Sequence, residues 1–513
     1  MASPHRVAAT LLGPALVIAL LSSCTGSGMP QAEGTGHQAP AEGQQAKPRA
    51  DPPPATPTNP VVLALDRPRQ SPGVVAAGGG DAPYNYAPSV LAEGGRFRTW
   101  WCSQLGFAEP GGDDILYAES GSLDGPFGNP DGMQGRPVLS GSVTGFDAMH
   151  TCDPSVLRVA QTYYMYYTGI ASDHEHANAI GVATSTDGVT WTRPADGKPI
   201  VSPANDTVRE NKYNAGQPSA LYLDGWYYLM FTDTTGKAAG WNGAGQFVLR
   251  SANPLFGSGV ESLSDKGFVP VDKTSAPRTR SVVDAFSADW MWIDALNAFA
   301  IAHSTDQGTT ITFWDRGFTR NPYRQTHLPG PWREGPGLVR TAEGHAPTDA
   351  LDPCGRVPLD VLRATVDGSA GAPTDLYHFG ADLAGVQGCA TKESAAKVLN
   401  GFAAPSPERT VDLVVGGKVV RVERRSVADK LAKRVLDQRP AILDQLPVAA
   451  RVPAGAKAVR GPDGQVGLLL DGDRLWVVGA EEIAALNSSK VMAVTATQWA
   501  DYERAGDLAA LRR

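Results

Sequence analysis

A proline-marked repeat constrains this chain more than any other feature. Ala87-Pro88-Ser89-Val90-Leu91 recurs as Asp153-Pro154-Ser155-Val156-Leu157, then as Gln217-Pro218-Ser219-Ala220-Leu221, the prolines standing 66 and 64 residues apart. Each copy is followed by an apolar or aromatic run (Arg96–Ser103, Tyr163–Gly169, Trp226–Asp233) and then by a third (Ile115–Ser120, Ala179–Ser185, Gln246–Ser251). Short β-branched and aromatic runs between Gly, Asp and Pro turns read as antiparallel strands. Asp187-Gly188 suits a hairpin between the third and fourth strands of its unit. A fourth unit is expected over Ser281–Trp314, with strands Met291–Ile293, Ala298–Ser304 and Thr310–Trp314. Pro358–Thr365 and Asp375–Gly380 are the clearest strands of a fifth. One such unit cannot bury its own hydrophobic faces, so units of about 65 residues with four short strands predict radial closure. The expected fold class is all-β: a five-bladed β-propeller over 78–395, with a small α+β C-terminal domain. A β-sandwich or another blade number is the competing arrangement.

The N-terminus carries a different message. Arg6 precedes an apolar stretch, Val7–Leu21, that is short for a membrane span and suited to a signal-peptide core. It ends in Leu21-Ser22-Ser23-Cys24, which resembles a bacterial lipobox and marks Cys24 for lipidation. Residues 1–24 are therefore expected to be a lipoprotein signal peptide. Residues 25–77 follow as a tether rich in Pro, Gly and Ala, too poor in large apolar residues near its start to offset ordering entropy. The expected location is the extracytoplasmic face of the cell membrane, held by a lipid anchor.

Net charge is −8, and no basic stripe with interleaved aromatics occurs, which argues against a nucleic-acid partner. Four cysteines remain after Cys24: Cys102, Cys152, Cys354 and Cys389. An even number in an exported chain favours disulfides, with three connectivities open. Cys102–Cys152 and Cys354–Cys389 are preferred, because each pair falls in neighbouring units. No CxxC or Cys/His cluster has zinc-site spacing. Composition changes near Pro405. Asp412–Leu431 and Leu468–Leu486 align about Gly417 and Gly472, each reading as a hairpin and a short helix, so 405–513 is expected to hold paired modules. The basic residues Arg421, Arg424, Arg425, Lys430, Lys433 and Arg434 there read as a solvated face.

The blade sequences resemble the five-bladed propeller glycosidases, the broad group of glycoside hydrolase families 32, 43, 62, 68, 117 and 130. They are especially similar to a branch of bacterial lipoproteins with CDPSV in the second blade, here Cys152–Val156, and GQPSA in the third, here Gly216–Ala220. The resemblance runs from about Tyr84 to Gly317. It implies carboxyl groups converging at the starts of the innermost strands: a base in the first blade, an orienting Asp in the second and an acid in the third. Asp153 matches the second. Ala87 stands at the first and Gly216 or Gln217 at the third, so family 43 chemistry is only partly matched.

Asp81, Glu210 and Asp284 lie nearby in sequence and join Asp153 as candidate catalytic carboxylates. Most glycosidases need two, spaced about 6.5–9.5 Å apart where water must enter between them. Gln217 and Asn214 offer paired donors and acceptors for sugar hydroxyls. His150 and the run Asp173-His174-Glu175-His176 form a polar set in the second unit, while Tyr86, Trp101 and Trp290 are candidate stacking rings or core residues. No cofactor is implied. Some propeller glycosidases hold a channel calcium ion, but no ligand set here identifies one. The expected protein is a monomer that hydrolyses a xylan- or arabinan-type glycan. Carbohydrate capture without catalysis is the alternative, and an envelope scaffold a third.

Overall fold

The computed structural model describes residues 59–76, 84–103, 112–128, 135–171, 178–367 and 373–512. Asp81, Cys24, the leader and the 173–176 run lie outside the described residues, as does the tether up to residue 58.

Five inner strands meet in a ring: Asn85–Glu93, His150–Val159, Ala215–Leu223, Asp289–Ile293 and Gly337–Arg340. Each lies beside the next, and the ring closes where Gly337–Arg340 runs parallel to Asn85–Glu93, with Val339 opposite Val90. Each inner strand pairs antiparallel with a second strand, namely Arg96–Ser103, Thr162–Ile170, Trp226–Asp233, Ala298–Thr305 and Arg356–Asp367. Third strands follow at Asp114–Ser120, Ala179–Ser185, Gln246–Ser251, Gly308–Asp315 and Pro373–Ala384.

The aromatic runs are explained by burial on both sides. Each pair of adjacent sheets encloses its own core. Leu91, Trp100 and Met165 fill the first interface, Leu157, Tyr166 and Leu229 the second, and Leu221, Tyr228 and Trp290 the third. Met291, Ala300 and Val361 fill the fourth, while Val90, Trp101 and Leu362 close the circle. A strand packed on both faces has no polar side to alternate with, so runs such as WYYLMFTD are buried almost throughout.

The recurring Pro-Ser has a structural reason. Ser89 Oγ accepts the Val156 N–H at 2.9 Å, Ser155 Oγ the Ala220 N–H at 2.8 Å, and Ser219 Oγ the Trp290 N–H at 3.2 Å. Asp289 does the same for Leu338 at 2.7 Å. In each of the first four units one side chain thus satisfies an inner-strand amide of the next, where a buried orphan would be costly. Arg340 fills the centre, donating to the Ala220 and Trp290 carbonyls at 3.1 Å and to Ser89 at 3.2 Å, with Asp289 3.2 Å away.

The structure corrects the expected layout at three places. Ala64–Gln70, assigned above to the tether, is a strand pairing with Pro373–Ala384, so a segment preceding the first sheet completes the last. The fifth inner strand, Gly337–Arg340, escaped the sequence reading. Arg421 is not on a solvated face. It is buried against Asp412 at 2.8 Å and also bonded to Glu408. Beyond residue 400, Val411–Val415 and Lys418–Val422 form a hairpin before helix Arg425–Leu431, and Val466–Leu470 and Arg474–Gly479 one before helix Glu481–Leu486. Leu413, Val420 and Leu431 share one core with Leu468, Trp476 and Ile483. Disulfides join Cys102 to Cys152 and Cys354 to Cys389, the pairing expected.

Candidate active site

One backbone bend recurs at the start of all five inner strands. Ala87, Asp153, Gln217, Ser287 and Gly335 have φ of 47°, 49°, 51°, 48° and 52°. Left-handed backbone is unfavourable for a residue with a Cβ, so its repetition marks a position the ring imposes. Pro88, Pro154, Pro218 and Pro336 follow four of the five, and a following proline disfavours the right-handed helical alternative. The bent residues and their neighbours line an axial cavity of about 30 Å³.

Asp153 is 5% exposed. Its Oδ2 accepts the Tyr213 hydroxyl at 3.0 Å, while Oδ1 has no hydrogen-bond partner among the described residues, although Thr168 is close enough to favour the charged form. Burial pushes the carboxyl above its ordinary pKa, and Asp113 adds to that push, against the pull of His150, Thr168 and Tyr213. His150 is hydrogen-bonded through Nδ1 to Asp113. Burial works against its charged ring, yet the bond to Asp113 and the fields of Asp113, Asp153 and Glu334 outweigh it and raise its pKa.

Glu334 was missed by sequence reasoning. It directly precedes Gly335-Pro336, the fifth copy of the bend, and its Oε1 accepts from Gln217 Nε2 at 3.3 Å. Gln217 has no freedom to turn away. Its Oε1 is held by the Ser287 N–H and the Thr232 hydroxyl, both at 2.9 Å, which orients the amide NH₂ toward Glu334. Burial, then the charge of Asp153, push Glu334 up to about 7, against the pull of His150 and the Gln217 bond. The charge of Asp153 thus opposes ionisation of Glu334, and two carboxyls held apart in pKa by their surroundings are the arrangement from which acid and base roles are assigned. Its sequence signal was Pro336, hidden by a spacing shorter than 64 residues and by Ala288 in place of proline in the fourth unit.

The other candidates separate clearly. Tyr86 stands at the site, its hydroxyl 3.0 Å from Cys152 Sγ, and burial followed by the charges of Asp153 and Glu334 keeps it protonated. Asn214 takes left-handed backbone at φ 71° and donates its N–H to Thr234 at 2.9 Å. Glu210 and Asp284 are exposed, and among the described residues no hydrogen bond or ion pair joins either to Asp153. Trp101 and Trp290 are wholly buried. Trp101 Nε1 donates to Asn85 at 2.7 Å, and Trp290 stacks on Phe299 at 5.1 Å, so both serve packing. Donor atoms of Cys102, Asp113 and Cys152 lie within 4.8 Å of one another, as do those of His150, Cys152 and Asp153. With the two sulfurs joined, thiolate ligation is not available to either group.

No protein-family model and no curated protein matches the chain. Solved structures do. A family 117 glycoside hydrolase of the marine bacterium Zobellia galactanivorans is 13% identical over 63% of this chain and 92% of its own, with a TM-score of 0.43. The catalytic domain of the Coprinopsis cinerea family 62 α-L-arabinofuranosidase is 14% identical over 62% and 97%, at 0.40. A family 130 structure, from a family of mannoside phosphorylases that contains hydrolases of β-1,2 mannosidic linkages in Candida mannan, is 13% identical over 63% and 95%, at 0.37. Likeness at this level carries no weight for activity, which rests on the residues themselves.

Proposed function

We propose that this protein hydrolyses glycosidic bonds at the mouth of a five-bladed propeller, with Asp153 and Glu334 as the reacting carboxyl pair. The carrying observation is their placement: Asp153 held by Tyr213 and Glu334 by Gln217, both at the axis end where the five bends converge. A cavity of about 30 Å³ takes a water or two but no sugar ring, so the scissile bond sits above it. Glu334, protonated near neutral pH, suits donation to the leaving oxygen. Asp153, steadied by His150 and Tyr213, suits activation of water on the other side. Tyr86 and Gln217 add donors at the rim. The ring of five cores, the four Ser/Asp contacts and the parallel pairing that closes the ring support the blade count, and the shared core beyond residue 400 supports a separate C-terminal pair of modules. The leader and Cys24 motif support export and lipid anchoring, and the carboxyl pair at the mouth supports carbohydrate as the partner.

One observation favours a second reading, carbohydrate capture without catalysis: Ala87 occupies the first-unit position equivalent to Asp153 and offers no proton acceptor. The test is hydrolysis of aryl-glycosides and neutral polysaccharides by the full-length protein and its Asp153→Asn and Glu334→Gln variants. Turnover lost in both, with folding intact, supports the hydrolase. Saturable glycan binding without turnover in the wild type supports capture.

A further inference from the structure

The loop that follows Trp226–Asp233 emerges at the same end of the ring as Gln217. Thr232 lies opposite Gly216 and Asp233 opposite Ala215 in that hairpin, so residues 234–245 rise beside the site. At the tip stands Trp241, 82% exposed, whereas Trp100, Trp101, Trp290 and Trp292 are fully buried. A single exposed ring is ordinary by itself, but an indole offers a flat apolar face and one N–H donor to whatever binds beside it.

The loop is also fastened. Arg209 donates to the carbonyls of Thr234 at 2.8 Å, Gly236 at 2.9 Å and Ala239 at 3.1 Å. Gly240 N–H bonds the Ala244 carbonyl at 2.7 Å across the Trp241 turn, and Ala244 N–H returns to Trp241 at 2.9 Å. Asn242, at φ 48°, and Gly243, at φ 89°, shape the turn. Most telling is Asn211. Its Nδ2 donates to the Asn242 carbonyl at 3.1 Å, while its Oδ1 accepts the N–H of Tyr213, whose hydroxyl binds Asp153. A continuous set of bonds therefore runs from the carboxylate to the turn that presents the indole. Rigid placement removes the ordering cost a ligand would otherwise meet.

We infer that Trp241 is an outer sugar subsite, stacking on a ring of a neutral glycan chain that extends from the Asp153–Glu334 mouth. The inference rests on the glycan reading above and adds that the ligand is a polymer or long oligomer. An indole face suits the C–H face of a sugar ring, and Trp241 stands outside the set of residues lining the axial cavity, so a ring stacked on it is a further unit of the chain bound at the mouth. Neutral sugar is favoured because the carboxylates of Asp113 and Asp153 outnumber the His150 cation there, so a uronate would meet repulsion.

Steady-state kinetics of the full-length protein on arabinan, xylan and mannan, each beside its aryl-glycoside, tests this. Trp241→Ala is expected to raise KM for the polymer about tenfold more than for the aryl-glycoside, with Trp241→Tyr recovering most of the loss. Val208→Ala, at a 94% exposed position of the neighbouring loop, serves as control. Equal KM changes on both substrates, or wild-type behaviour on the polymer, overturn the subsite and leave the hydrolase reading standing. Retardation in polysaccharide gels separates the two ideas. A wild type that cleaves nothing but is retarded, and loses retardation in Trp241→Ala, keeps the subsite and removes the hydrolase. A wild type neither retarded nor active overturns both.

Discussion

Replacing Glu334 by Gln exchanges a carboxyl that the fold holds protonated for a neutral group of the same shape. In the folded protein its pKa stands at about 7 against an ordinary 4.5. Between those values the folded chain keeps a proton that the unfolded chain has released, so stability contributed by this group falls as pH rises across that window. The interval, at about 1.4 kcal/mol per pH unit, sets a ceiling of about 3 kcal/mol. Glu334 keeps some contact with solvent, which screens the charge, so an effect of about 1–2 kcal/mol is the working figure. Urea unfolding of wild type and Glu334→Gln, followed by tryptophan fluorescence at pH 5 and pH 8, reads it directly. The two should differ least at pH 5, where little of the window has been crossed and Gln imitates the protonated acid of the folded state, and the variant should be the more stable at pH 8. Equal pH dependence in both proteins would refute the claim that burial and Asp153 hold this carboxyl protonated.

Three further outcomes are expected. Asp153→Asn removes the charge that opposes Glu334 ionisation, so the alkaline limb of any pH–stability curve assigned to Glu334 moves to lower pH, measured by the same unfolding series. Arg340→Leu leaves Asp289 buried without its cation and the Ser89–Ser219 hydroxyls without their shared donor; a loss of about 3–5 kcal/mol in urea unfolding is expected. Opening the Cys354–Cys389 loop, 35 residues in sequence separation, by Cys→Ser replacement of both residues should cost about 3–4 kcal/mol, read as a lower unfolding midpoint under oxidising conditions.

Much of the ring was legible as text. Pro88, Pro154 and Pro218 marked three inner strands because a proline follows the left-handed bend in four of the five units. The aromatic runs marked second strands because burial between two sheets leaves no polar face. Asp153 was legible as the residue at the second of these bends for the same reason. Cys102–Cys152 joins neighbouring units, the ground on which it was expected; Cys354 and Cys389 pair as expected but flank two strands of one unit, the fifth.

What remained hidden depended on distance along the chain. Nothing local distinguishes Ala64–Gln70 from a polar arm: its pairing partner lies some three hundred residues away, and only closure of the ring supplies it. Glu334 reads as a loop carboxylate until Gly335 takes the fifth bend and Gln217, from another sheet, binds it. Trp101 and Trp290 have the composition of sugar platforms, yet packing between sheets buries them and leaves Trp241 to face water. Local patterning thus determined the repeat, the strands and one acid. Which acid faces Asp153, and which indole meets solvent, was decided by contacts between sheets, since side-chain environment is a property of neighbours in space and not of neighbours in sequence.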